Sequence, residues 1–178
     1  MPDLFKNYKE KVHPALKEKR GYKNVMSVPR LSKILLSTGI STNTDRDAFP
    51  EAKQILTSIT GQAAVITKAR TNIANFKLRK GMSVGVMVTL RRHRMYEFLD
   101  RFIHIVLPRV RDFRGIPTKG FDGKGNYNMG LKDISVFTEV DLDKLKHPIG
   151  INITFVTTAR TDEEAQDLLR MLELPFAE

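Results

Sequence analysis

The segment Ala63–Arg91 reads AAVITKARTNIANFKLRKGMSVGVMVTLR, and its pattern fixes what the chain around it must do. Two runs rich in β-branched residues, Ala63–Ala69 and Val84–Arg91, flank a stretch of Asn, Lys, Arg and Gly, which predicts two strands joined by a long loop. Side chains alternate along a strand. Val84, Val86, Val88 and Leu90 therefore share one face and Gly85, Met87, Thr89 and Arg91 the other, so one face is core and the other can meet a ligand. The loop Arg70–Ser83 sets Arg70, Lys77, Arg79 and Lys80 beside Asn72, Asn75 and Phe76, a mixture suited to phosphates, base edges and stacking.

Outward from this hairpin, Ala52 to Tyr96 contains no Asp or Glu but carries nine cations: Lys53, Lys68, Arg70, Lys77, Arg79, Lys80, Arg91, Arg92 and Arg94. They account for almost all of the formal net charge of +10. Cations gathered in one place repel one another, and a polyanion that neutralises them and releases condensed counterions is the fitting partner.

With 178 residues and 41% hydrophobic content, the chain is expected to fold as one domain spanning 1–178. The lack of cysteine rules out disulfides and thiolate metal sites, and fits a reducing cytoplasm. No apolar run approaches the roughly 18 residues of a membrane span, so no membrane partner is expected.

Residues 3–20 have apolar positions at helical spacing (Leu4, Phe5, Tyr8, Val12, Ala15, Leu16), interrupted by Pro14, which predicts a kink or two short helices ending at Gly21. The lysines of this helix fit a solvated face or an RNA contact equally well. Val25–Ile40 reads as a long central strand with Pro29 near its start. Asp47 offers an N-cap to a helix whose stripe is Ala52, Ile55, Leu56 and Ile59, ending at Gly61. Beyond the hairpin, Arg94–Leu107 is helical in period, and Arg109–Gly130, with five glycines, reads as an extended exposed loop of the length that usually binds something. Ile134–Phe137 and Ile149–Thr158 are strand-like, with an acidic excursion at Glu139–Asp143 between them. A helix over 162–173 closes the chain, opened by the capping box of Thr161 and Glu164 and stopped by Pro175. The expected fold class is α+β: a mostly antiparallel sheet with helices packed on one face and a polar, basic face left to RNA.

Chemistry of the enzymatic kind finds no foothold. His13, His93, His104 and His147 are scattered, without metal-ligand spacing, and no nucleotide loop, nucleophile elbow or paired-carboxylate signature occurs. No catalytic residue, metal or cofactor is expected.

Several blocks in order carry a family resemblance: Ile59–Arg101 (ITGQAAVITKARTNIANFKLRKGMSVGVMVTLRRHRMYEFLDR), LPRVRDFRGI, FDGKGNYNMGLKD and TARTDEEAQDLL, preceded by YKEKVHPAL and YKNVMSVPRLSKI. Together they resemble the bacterial large-subunit ribosomal protein five family, which binds 5S ribosomal RNA. The resemblance implies a structural, non-enzymatic part of the large ribosomal subunit in the cytoplasm. It further implies a monomer in the central protuberance that holds 5S rRNA beside large-subunit rRNA, contacts P-site tRNA and bridges to a ribosomal protein of the small-subunit head. On these positions, 5S rRNA binding is expected of Lys33, Ser37, Gln62, Thr67, Lys68, Thr89 and Arg91. Contact with tRNA is expected of Asn72, Asn75, Phe76, Lys77, Arg79 and Lys80, with Phe76 either stacking or pinning the loop. The intersubunit bridge falls to Arg109, Arg111, Arg114 and Lys119. The chain departs from the family's usual pattern where Ser37 replaces asparagine, Asn75 glycine, Ser83 proline and Met87 lysine. A free-standing RNA-binding or chaperone module and an RNA-modifying enzyme are the competing classes.

Overall fold

Alternation of buried and open residues is plainest on the first strand, β1 (Leu31–Gly39), where Ile34, Leu36 and Thr38 are buried while Lys33, Leu35 and Ser37 are half-buried. The computed structural model describes residues 3–41, 47–140 and 149–177. It shows the expected α+β fold: β1, β2 (Val65–Lys68), β3 (Ser83–Leu90), β4 (Tyr127–Leu131) and β5 (Ile151–Thr157) form a five-stranded antiparallel sheet in the order β2-β3-β1-β5-β4. Contacts divide the chain into two compact units.

The first unit comprises Met1–Ile34, Arg91–Met129 and Thr154–Glu178. Its helical start runs as α1 (Asp3–Asn7), one π-helical stretch (Tyr8–Val12) and α2 (His13–Arg20). Pro14 therefore does not break the helix. The wider turn ahead of it absorbs the missing amide donor, and Leu4, Tyr8, Val12 and Leu16 stay on one buried stripe. Gly21, at φ 66°, closes the helix in the left-handed conformation. The expected strand over Val25–Ile40 begins only at Leu31. Asn24 accepts a hydrogen bond from the Met26 amide at 2.9 Å and caps a 3-10 turn at Val25–Ser27, and Pro29 has no donor for a ladder.

Helix α4 (Arg92–Arg101) continues through a π-helical stretch (Phe102–Val106), and α5 (Asp162–Met171) is capped by Thr161, whose hydroxyl accepts from the Glu164 amide at 3.4 Å. The Glu164 carboxylate reaches back to the Arg160 amide at 2.9 Å. Phe98, Phe102, Phe155 and Tyr127 form the aromatic centre of this unit, with ring separations of 5.9, 6.1 and 6.3 Å along that chain of contacts. Burial pushes the Tyr127 phenol up to about 12, and its hydroxyl donates to the Pro117 carbonyl at 2.6 Å.

The second unit comprises Leu35–Leu90 and Gly130–Ile153. Its helix α3 (Ala48–Thr60) follows Asp47, which has a helical backbone and makes no side-chain cap bond, and lays Ala52, Leu56 and Ile59 over β3 and β2. Gly61 ends it at φ 65°. Ile134–Phe137, expected as a strand, instead opens with a 3-10 turn at Ile134–Val136, because Asp133 accepts from the Ser135 amide at 2.9 Å and turns the backbone out of any ladder. Of the acidic excursion Glu139–Asp143, positions 141–143 lie outside the described residues, as does His147.

A candidate nucleic-acid interface

Strands β2 and β3 pair with Val65 opposite Met87, Ile66 opposite Val86 and Thr67 opposite Gly85. Cross-strand partners point to the same side. Ile66, Val86, Val88 and Leu90 thus face α3, whereas Val65, Thr67, Met87 and Thr89 face away from it. The sequence-based division of β3 into a core face and an open face is the one observed. Ser37 and Leu35 fall on the open side of β1 by the same alternation. Gly85 is buried on this side because β1 crosses closely there: a Cβ would run into the Thr38 carbonyl oxygen.

The open face of this unit therefore carries the hydroxyls of Ser37, Thr67 and Thr89 among the aliphatic Leu35, Val65 and Met87, with Lys68 exposed at the end of β2. Val65 is 64% exposed. It belongs to this surface, and the alternation of the VITK run could have placed it there. Gln62, half-buried just after α3, donates through Nε2 to the Thr89 carbonyl at 3.1 Å. That bond ties the helix end to β3 and leaves the amide oxygen and one N–H for a ligand. Lys33, half-buried, and Arg91, exposed at the N-cap of α4, belong to the first unit, so of the seven expected residues the second unit gathers Ser37, Gln62, Thr67, Lys68 and Thr89.

Beyond β2 and β3 the hairpin remains ordered where a long loop was expected. Ala69 and Met82 stay bonded (2.8 Å), Ile73 and Leu78 exchange two hydrogen bonds of 3.0 Å, and a 3-10 turn at Ala74–Phe76 closes at Lys77 with φ 52°. Asn72 is engaged inside the tip, its Oδ1 accepting from the Lys80 amide at 2.7 Å. Phe76 is 66% exposed and lines a cleft of about 360 Å³ with Asn75, Lys77, Leu78 and Ile40. Among the described residues Lys68, Arg70, Lys77, Arg79 and Lys80 form no ion pair, so their charge is presented to solvent.

In the first unit, Arg109, Arg111, Arg114 and Lys119 are all exposed. The segment that holds them is not the featureless loop that its glycines suggested. Ile116 is buried and pairs with Phe176, and the turn Asp122–Asn126 is clamped from two sides. Asp122 accepts from the amides of Lys124 and Asn126 and from Asn126 Nδ2, while Asp162 on α5 accepts from the amides of Gly123 and Gly125 at 3.0 and 2.8 Å. The Asn126 amide group and these backbone donors hold the Asp122 carboxyl below its ordinary value.

A family profile described as "Ribosomal protein L5" matches residues 24–79, and a second profile, for the C-terminus of the same ribosomal family, matches 83–176. The chain belongs to the ribosomal protein L5 family. Its relatives include large ribosomal subunit protein uL5 of Carboxydothermus hydrogenoformans, 50% identical with 99% of each chain covered. The uL5 proteins of Flavobacterium johnsoniae and Rhodopirellula baltica are 54% identical (98% of this chain, 96% of the relative) and 52% identical (99% and 90%). Family membership makes this a structural protein of the large ribosomal subunit, cytoplasmic within the ribosome, and not an enzyme. Among the described residues no helix is long and apolar enough to cross a membrane.

Proposed function

We propose that this chain fastens 5S rRNA to the large subunit through the open sheet face of its second unit. The observation that carries this reading is the set of three hydroxyls, Ser37, Thr67 and Thr89, on the side of the sheet that α3 does not cover. Hydroxyls can donate to and accept from base edges and ribose 2′-OH groups, and Leu35, Val65 and Met87 between them can pack on sugars; Lys33, Lys68 and Arg91 are assigned to phosphates. Ser37→Ala and Thr67→Val together should weaken 5S rRNA binding by the free protein roughly tenfold or more, since each lost hydrogen bond contributes about 1 kcal/mol. Wild-type affinity in that double variant would move the interface off this face.

The exposed tip, with Asn72, Asn75, Phe76, Lys77, Arg79 and Lys80, is assigned to P-site tRNA, where Phe76 is placed to stack and Asn72 to shape the turn. Replacing Lys77, Arg79 and Lys80 with alanine should lower tRNA affinity of assembled ribosomes and leave 5S rRNA affinity of the free protein intact. The reverse pattern would put the tip on 5S rRNA. Arg109, Arg111, Arg114 and Lys119 are assigned to the bridge with the small-subunit head protein. Because Tyr127 and Asp162 anchor the neighbouring segment, charge reversal is a cleaner test than shortening it: Arg111→Glu with Arg114→Glu should weaken subunit joining at low magnesium while 5S rRNA binding holds. Normal joining would count against the assignment.

A further inference from the structure

Arg92, the first residue of α4, has φ 54°, in the left-handed region that a side chain with a Cβ enters only at a cost. Glycine would sit there without strain. The arginine is exposed, and among the described residues no ion pair offsets that cost. Its neighbours are of one kind: Arg91, His93 and Arg94 are all exposed, and Arg94 is likewise without an ion pair among the described residues.

A row of aromatic contacts in the first unit brings the N-terminal helix to the same place. Phe5 lies 5.8 Å from the His93 ring, edge to face, and 5.0 Å from Tyr96, while Lys9 Nζ stands 4.8 Å over the Phe5 ring. The cation–π contact fixes an ammonium that would otherwise wander. Glu97 and Glu10, both exposed, are the nearest carboxylates in sequence, and neither pairs with Lys9, Arg92 or Arg94 among the described residues.

We infer that Arg92 and Arg94, with Lys9, form a phosphate-binding patch for ribosomal RNA, held by the first unit and additional to the hydroxyl face and hairpin tip of the second. Planar guanidiniums grip phosphate oxygens two at a time, and a strained backbone kept under one of them is accounted for by the contact it aims. The inference rests on the ribosomal RNA-binding reading. Phosphates of 5S rRNA and of large-subunit rRNA offer the same chemistry, and the two are separated by experiment.

The full-length protein, Arg92→Gly, Arg94→Gln and the double variant are titrated with 5S rRNA and with protein-free large-subunit rRNA over a salt series. Arg170→Gln, an exposed cation on α5 outside the carboxylate-free stretch, serves as a control for the loss of any one cation. For one of the two RNAs the double variant should bind about tenfold more weakly, with its log K against log salt slope shallower by about 1.5, as two lost phosphate contacts require; Arg170→Gln should keep the wild-type slope. Arg92→Gly should melt above the wild type while binding more weakly, the signature of a residue kept for contact at the expense of stability. Unchanged affinity and slope on both RNAs, with the wild type binding, would overturn the patch and leave the proposed function standing. Wild-type protein that binds neither RNA would remove both.

Discussion

Thr89 shows two tasks divided between two atoms of one residue: its carbonyl receives the Gln62 amide, and its side chain lies on the open face of β3. Thr89→Val keeps the carbonyl and the β-branched shape but removes the hydroxyl, so affinity for 5S rRNA should fall by about 1 to 3 kcal/mol with the melting temperature unchanged. Thr38, one residue beyond Ser37, is the opposite case. It is buried, and its hydroxyl has no hydrogen-bond partner among the described residues. Thr38→Val should therefore stabilise the fold, by about 1 kcal/mol in a denaturant titration, and leave RNA binding alone.

A third residue, Asp167 on α5, accepts from Lys19 Nζ at 2.9 Å and from Arg20 Nε and Nη2 at 2.8 and 2.5 Å. Burial alone would raise its carboxyl, but the two cations outweigh burial and hold it below the ordinary carboxylate value. A depressed folded-state value stabilises the protein above the unfolded value of about 4, and that stabilisation is lost as pH falls through the lower folded value. Asp167→Asn should thus be less stable than wild type at neutral pH by about 1 to 2 kcal/mol, and the gap should close below about pH 4. A gap that widens in acid would contradict this.

At the scale of elements, what the sequence made legible depended on whether a local pattern also decided the hydrogen bonds. Period-two alternation placed Val86, Val88 and Leu90 inward and Thr89 outward without reference to any other part of the chain, and the structure agrees. Glycine-rich composition misled. Arg109–Gly130 lacks an apolar period, yet Asp162, far along the chain, clamps two of its amides, and no local signal announces a partner that distant. The strand expected at Ile134 failed for the reverse reason: a competing local bond from Asp133 won over β propensity. Pro14 was expected to give a kink or two short helices, and the segment is two short α-helices joined by a π-helical stretch. The pairing of β1 with β3 depends on Gly85 in a way that only the structure exposes. Gly85→Ala would drive a Cβ into the Thr38 carbonyl, and should destabilise the protein by several kcal/mol and weaken 5S rRNA binding with it. A soluble Gly85→Ala variant of wild-type stability would mean that β1 yields at that crossing.

Over the whole molecule, the proposed function divides the work between charge and hydroxyls. On that proposal the carboxylate-free stretch from Ala52 to Tyr96 attracts phosphate of any sequence, whereas Ser37, Thr67 and Thr89 are assigned the contacts that depend on shape and sequence. Charge concentration was visible from composition alone. The sharing of one open face by the hydroxyls of β1, β2 and β3 required the strand order, which no single segment encodes. The two contributions separate in one measurement: the affinity of the full-length wild type and of Thr89→Val for 5S rRNA across a salt series. If about five phosphates are neutralised, log K for the wild type should fall against log salt with a slope of about −3.5 to −4.5. Thr89→Val should give a parallel line, displaced downward by about one to two log units at every salt concentration. A flat wild-type line, or a Thr89→Val line that coincides with it, would contradict the account.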